Sequence, residues 1–321
     1  MTDMLDVFFT VDVEVWCNGW KNLDASFDAA FRRYIYGPTA QGDYGLPFKL
    51  QMLADHGLQG VWFVEPLFAL RFGTNFLAEI VGMIRQHGQE VQLHMHPEWL
   101  DEIHPALISG VEGKRRLMAE FSVAAQTTLI GKGIELLTQA GAERINAFRA
   151  GNYGFNLDTL RALAANGILF DSSYNAAGGG MESGLNPGSV LTEPMIFEGV
   201  HEYPVTVFQD GTSNLRPTQL TACSWREMEG LLWQALETGR RSFVIVSHNF
   251  ELLDSSKILP SKIVIDRYER LCRFLSEHRD CFNVRGFNGL TPKVPITRQP
   301  PLHSSILKTG ERMLQQLCSR F

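Results

Sequence analysis

Basic residues are in short supply: 29 Lys and Arg stand against 35 Asp and Glu in 321 residues, a formal charge of −6 at neutral pH. A chain without a basic excess lacks the footprint that neutralises phosphates, so nucleic acid is not an expected partner. Long apolar runs are lacking too. No uncharged stretch reaches the ~18 residues that cross a bilayer, so no transmembrane segment is expected. The apolar start, MTDMLDVFFTVDVEVW, carries Asp3 and Asp6 where a secretory leader needs Lys or Arg, and it is interrupted at Asp12. Cysteines are few: Cys17, Cys223, Cys272, Cys281 and Cys318 are scattered, odd in number and form no Cys-x-x-Cys pair. That excludes a disulfide framework and a structural zinc cluster, and reads as reduced thiols in a cytoplasmic protein. No Gly-x-Gly-x-x-Gly opens a helix after the first strand, which argues against an open dinucleotide-binding sheet. Internal repeats are absent.

What remains, at 45% hydrophobic and 20% charged residues, is an ordinary globular composition. Apolar runs with strand character alternate with stretches of helical spacing. Strands are expected at 5–13, 59–64, 90–93, 145–148, 168–170, 202–207, 242–246 and 282–287. Helices are expected at 48–56, 76–87, 157–166, 225–238 and 263–278, several stopping at a glycine such as Gly57, Gly88 or Gly167. Such alternation means parallel pairing with crossovers, and seven or so units suggest a closed or nearly closed (β/α) barrel of one domain over 1–291. Two segments break the pattern. Residues 176–194 hold five glycines and two prolines and read as a long surface loop, a candidate lid. Residues 292–321 read as a proline-rich connector and a C-terminal helix with Ile306, Leu307, Met313, Leu314 and Leu317 apolar, expected to dock on the barrel.

In a parallel barrel the chemistry sits where strands end, because the loops there converge on one mouth. The first strand ends in Thr10-Val11-Asp12-Val13-Glu14, the third in His94-Met95-His96-Pro97-Glu98-Trp99. The fourth ends in Arg149-Ala150-Gly151-Asn152-Tyr153, the fifth in Asp171-Ser172-Ser173, and the apolar strand near the end in Ser247-His248-Asn249. Singly these are weak signals. Asp12 could cap a turn, a His-x-His pair arises by chance, and His248 could be a rim residue. Glu65, after the second strand, reads as scaffold. Together they make sense as chemistry. Two histidines and a carboxylate suit Zn²⁺ or a similar divalent ion with open positions for water and substrate. A second carboxylate held by an arginine can act as base, and a histidine paired with an acid can protonate a leaving amine.

In that order the segments resemble the polysaccharide deacetylase family (NodB homology, carbohydrate esterase family 4), a distorted, often seven-stranded (β/α) barrel, over roughly 5–290. TVDVE resembles the family's Thr-Phe-Asp-Asp, which implies Asp12 as catalytic base and Glu14 as metal ligand. HGQEVQLHMH resembles its Gly-His-Glu-Ile-x-x-His segment, and FRAGNYG its Arg-x-Pro-Tyr, which implies Arg149 as the group orienting the base and backbone near Asn152 as the oxyanion contact. LFDSS implies Asp171 as partner of the acid, and IVSHN implies His248 as that acid. The family's two histidines stand four apart. Here His94 is followed by His96, with Glu98 at the fourth position, so either His96 or Glu98 completes the ligand set with Glu14 and His94. The expected reaction is removal of an acetyl group from an N-acetylated sugar of a polysaccharide or lipopolysaccharide precursor. Zn²⁺ is the expected ion, with Co, Ni or Fe as alternatives, and Trp16, Trp99, Asn152 and Tyr153 are candidate sugar contacts. A non-haem Fe(II) oxygenase and a non-catalytic sugar-binding barrel are the rival readings.

Overall fold

The nine residues Leu5–Val13 (β1) form a strand of which only Asp6 is not fully buried. A near-continuous Val/Phe run of this kind suits a central parallel strand covered on both faces. The computed structural model describes residues 4–17, 19–177, 183–185, 190–292 and 299–318. The further parallel strands are β2 (Gly60–Val64), β3 (Glu90–Met95), β4 (Ala147–Ala150), β5 (Phe170–Asp171), β6 (Val200–Glu202), β7 (Ser242–His248) and β8 (Phe282–Val284). Hydrogen bonding runs β7-β1-β2-β3-β4-β5-β6, and Met195–Phe197 adds antiparallel to β6. One edge of β1 is shared: β8 takes its first residues and β2 its last. On the far side of β7, Thr206 donates to Val244 and Thr218–Leu220 bridges Val246, so the sheet curls round towards its own start. This is the expected distorted barrel.

The principal helices are α1 (Leu23–Phe31), α2 (Leu46–Asp55), α3 (Thr74–Gln86), α4 (Val123–Gln139), α5 (Leu157–Ala165), α6 (Trp225–Glu237), α7 (Lys262–Glu277) and α8 (Ile306–Cys318). Alternate strand residues point to opposite sides. Val7, Phe9 and Val11 meet the helices, whereas Phe8 joins Val61, Phe63, Ala147, Phe170, Val244 and Phe287 in a separate cluster inside the barrel. That parity carries on towards the strand ends, so Thr10, Asp12 and Arg149 share the inner side.

Two expectations are corrected here. Helices α1 and α4 were not expected. In α4, two glycines and three threonines weaken the helical signal, yet Gly133 is required: a Cβ there would lie 2.7 Å from Met95 Cε and 2.8 Å from Leu93 Cδ1. The C-terminal helix does pack on the barrel, but with its polar side inward. Arg312 pairs with Asp210 (2.8 Å) and Glu227 (3.0 Å), while Leu307 is 83% exposed and Leu314 65%. Most of 178–189 and 293–298 lies outside the described residues, including the core of the candidate lid. Four of the five cysteines, Cys17, Cys223, Cys272 and Cys281, are free, and no described helix is long and apolar enough to cross a membrane.

Candidate metal centre and catalytic site

The spacing of two in Asp12-x-Glu14 and His94-x-His96 becomes intelligible on extended backbone. His96 (φ −112°, ψ 98°) continues the extended run of β3 into the short 3₁₀ turn Pro97–Glu102, so both histidines of the pair face the mouth. A spacing of four would bring two rings onto one ion only on a helical turn, since on a strand it sets them ~13 Å apart.

Glu14 Oε1 lies 2.9 Å from His94 Nε2 and 3.0 Å from His96 Nε2, and the three side chains are buried. These donor atoms lie within 4.8 Å of one another. The outer nitrogens are already committed. His94 Nδ1 donates to the carbonyl of Arg149 at 2.8 Å, and His96 Nδ1 lies 3.2 Å from Glu98 Oε2. Fixing Nδ1 in this way turns the Nε2 lone pairs inward, the usual arrangement behind a histidine metal ligand. The donor set therefore fits a divalent ion of borderline hardness. Glu98 stands behind His96 and does not displace it. Charges within the cluster are strongly coupled. Burial resists the Glu14 carboxylate, but His96, the hydrogen bonds from both imidazoles and His248 hold its pKa well below the usual carboxylate range. Burial likewise resists the His96 cation, yet Glu14 and Glu98 push it well above the usual imidazole value.

Two neighbours keep Glu14 in place. Trp16 Nε1 donates to its second oxygen at 2.6 Å, with the indole edge against the His96 ring. Asn249, which sequence reasoning passed over, clamps the backbone: its side chain accepts from Glu14 N (3.0 Å) and donates to Glu14 O (3.2 Å) and Tyr34 O (2.7 Å). Gly151 has no room for a side chain, since a Cβ would lie 2.6 Å from His96 Nδ1. The Gly at this point of FRAGNYG thus makes space for a histidine two residues after the first.

Asp12 is next to the cluster and is gripped by Arg149 at 2.7 Å. The guanidinium is fully buried and also donates to Thr10 Oγ1, Ser172 O and Ser172 Oγ, with the Phe63 ring 4.5 Å from its carbon. Across the β1–β7 ladder, Asp12 pairs in register with His248. A second cluster of potential donor atoms, Asp12, Glu14 and His248, shares the same mouth. His248 Nδ1 is bonded to Glu251 Oε1 at 2.8 Å. Burial alone would lower this imidazole, but the Glu251 bond and charge, with Glu14 and Asp12 beyond, push its pKa up to about 9.

Two expected roles need correction. Asp171 is not the partner of His248. It lies on the outer side of β5, accepts from Ser173 Oγ at 2.6 Å and faces Glu202 across the β5–β6 ladder. Phe170, one residue earlier, is the side chain that points into the barrel. Glu251 stands where Asp171 was expected, and its only sequence signal was a spacing of three from His248. Trp99 offers no face to a sugar: it is 1% exposed, packed against Trp20, Phe27, Phe68 and Phe72. Asn152, with φ +53°, uses its side-chain amide to hold Glu98 Oε1 at 3.0 Å. Tyr153 remains half-buried near Asp12 and bonded to Asn175. Glu65, on the inner side after β2, is buried with Oε1 accepting from Leu67 N, and burial raises its pKa to about 8.

The fold is that of the polysaccharide deacetylases. Among solved structures, a candidate polysaccharide deacetylase from Mycobacterium smegmatis superposes with a TM-score of 0.56 at 18% identity, covering 94% of this chain and 96% of that one. A 4-α-glucanotransferase from Thermococcus litoralis reaches 0.54 at 10% identity, over 92% of this chain and 43% of its own. A family 4 carbohydrate esterase from Streptomyces lividans, in complex with acetate, gives 0.42 at 11% identity over 88% and 92%. No family model and no curated protein sequence matches the chain.

Proposed function

We propose that this protein is a metal-dependent hydrolase that removes an acetyl or similar acyl group from the nitrogen of a sugar. The observation that carries the reading is the convergence of Glu14, His94 and His96 on one point, with the Arg149-bound Asp12 beside it and His248 in register across the ladder. Glu14, His94 and His96 would hold the ion, with Zn²⁺ the first candidate. When bound, such an ion polarises a carbonyl and brings the pKa of water down to ~7.

The chain's own groups supply the remaining steps. Arg149 aims the Asp12 carboxylate, which takes the proton from the attacking water. His248, protonated at neutral pH and aligned by Glu251, gives its proton to the departing amine, so that the sugar leaves as a neutral species. Trp16, whose indole N–H is committed to Glu14, and Tyr153 border the mouth where the sugar would lie. The proposal extends to an N-acetylated polysaccharide or lipopolysaccharide precursor as substrate.

The test is acetate release from a panel of free, nucleotide-linked and lipid-linked N-acetylated sugars, by metal-loaded and chelator-treated protein. Release that depends on one bound ion per chain is expected. Sugar binding with no acetate released by the loaded protein would overturn the reading in favour of a binding barrel.

A further inference from the structure

We infer that Lys49, on α2 and outside the barrel mouth, is a positioning residue that fixes the tautomer of His248 through Ser247 and Glu251. The inference deepens the function proposed above, because it concerns the same proton donor.

Lys49 is fully buried, yet its ammonium meets two neutral oxygens. Nζ donates to Ser247 Oγ and, at 2.7 Å, to the carbonyl of His248. The Tyr268 ring lies 5.4 Å away, and the Tyr268 hydroxyl donates to the Lys49 carbonyl at 2.7 Å, so α7 holds this part of α2. Taking an ammonium out of water without a carboxylate in direct contact is unfavourable. Burial pulls its pKa down to about 8, with Glu251, Cys272 and Asp12 opposing.

The order of hydrogen bonds gives this cation a use. An ammonium only donates, so the Ser247 hydroxyl accepts from Lys49 and has its one proton left to give. The taker is Glu251 Oε2, at 2.9 Å. The other oxygen, Oε1, receives the Gln219 side-chain N–H and faces His248 Nδ1. With a donor on every other side, Glu251 is an acceptor throughout, and the hydrogen between it and His248 belongs to Nδ1. Nε2 is then the nitrogen that carries the proton exchanged with substrate. Since Ser247 and His248 are consecutive on β7, they face opposite sides of the strand. Lys49 thus reaches the imidazole from behind, without entering the mouth.

The experiment uses the full-length, metal-loaded protein with K49M, S247A and the conservative K49R. Nitrogen-15 spectra of the histidine ring, recorded near pH 10 where the His248 imidazole is neutral, report the tautomer, and two substrates at neutral pH report its consequence. An N-acetylated sugar has an amine that must be protonated to leave, whereas 4-nitrophenyl acetate has a phenolate that need not. K49M and S247A are expected to lose the single Nδ1–H form of His248. They should lower kcat roughly tenfold or more on the sugar, with KM nearly unchanged, and under about threefold on the ester. K49R should retain both the spectrum and the sugar activity. Equal losses on both substrates, or an unchanged tautomer in a folded S247A protein, would overturn the assignment. A metal-loaded wild type inactive on every N-acetylated sugar would sink the function proposed above, and the spectra alone would then decide the role of Lys49.

Discussion

The carbonyl of Arg149 accepts from Nδ1 of His94 at 2.8 Å, on the residue whose guanidinium holds Asp12 at 2.7 Å. One position on β4 therefore serves the proposed metal ligands through its backbone and the proposed base through its side chain. The two functions can be separated by mutation, because altering side chains leaves the carbonyl in place.

D12N keeps the shape of the side chain and removes the base. Turnover should fall by about 10²–10⁴-fold with the bound ion retained. H94A should lose ion and turnover together. Metal analysis of the purified variants, alongside acetate release, separates the two outcomes. Near-normal activity in D12N would show that the base lies elsewhere.

G151A puts a methyl group into the His96 ring. The ring must move, and with it one of the three proposed ligands, so metal affinity should drop by roughly 10–100-fold, the scale seen when ligand support is disturbed. Competition with a chromophoric chelator measures this. An unchanged affinity would mean that His96 is not a ligand.

His248 gives the activity an alkaline limit. Its pKa is raised from the ordinary value near 6.5 to about 9, so activity towards an N-acetylated sugar should persist to about pH 8 and decline through pH 9. E251Q removes the largest raising influence, and its decline should begin nearer neutrality. The sign for stability follows: a raised folded-state pKa means a contribution complete below about 6.5 and lost as the pH rises through about 9. Kinetic pH profiles of the two proteins that superimpose would be incompatible with this.

Glu65 acts through stability. Its pKa is raised by burial from the ordinary 4.5 to about 8, so its contribution is present below 4.5 and disappears as the pH climbs through 8. The E65Q protein cannot ionise there and should show a flatter melting temperature between pH 5 and 9, with its advantage over the wild type growing towards the alkaline end. Parallel melting curves would refute it.

Much of this was legible because the barrel has a strict period of two. Runs such as Leu5–Val13 and Ser242–His248 are too apolar and β-branched to be anything but buried strands, and their polar ends mark the mouth. Asp12, Glu14, His94, His96, Arg149 and His248 all stand at such ends, and the structure brings them together. Parity was the piece that could not be read at β5. The strand is two residues long, so nothing in the sequence told whether Phe170 or Asp171 faced inward, and the resemblance favoured the wrong one. Glu251 escaped notice because it follows the strand in a turn, where no period applies. Helix α4 was hidden for a related reason: the glycine that lets it approach Leu93 and Met95 is a helix-weakening residue when read alone.

The in-register pairing of Asp12 with His248 has a lasting consequence. Neighbouring strands in a ladder are held ~4.8 Å apart by backbone geometry that side-chain replacement scarcely alters. The carboxylate and the imidazole are thereby anchored to masonry, and in the function proposed above the choice of sugar falls to the loops that crown it.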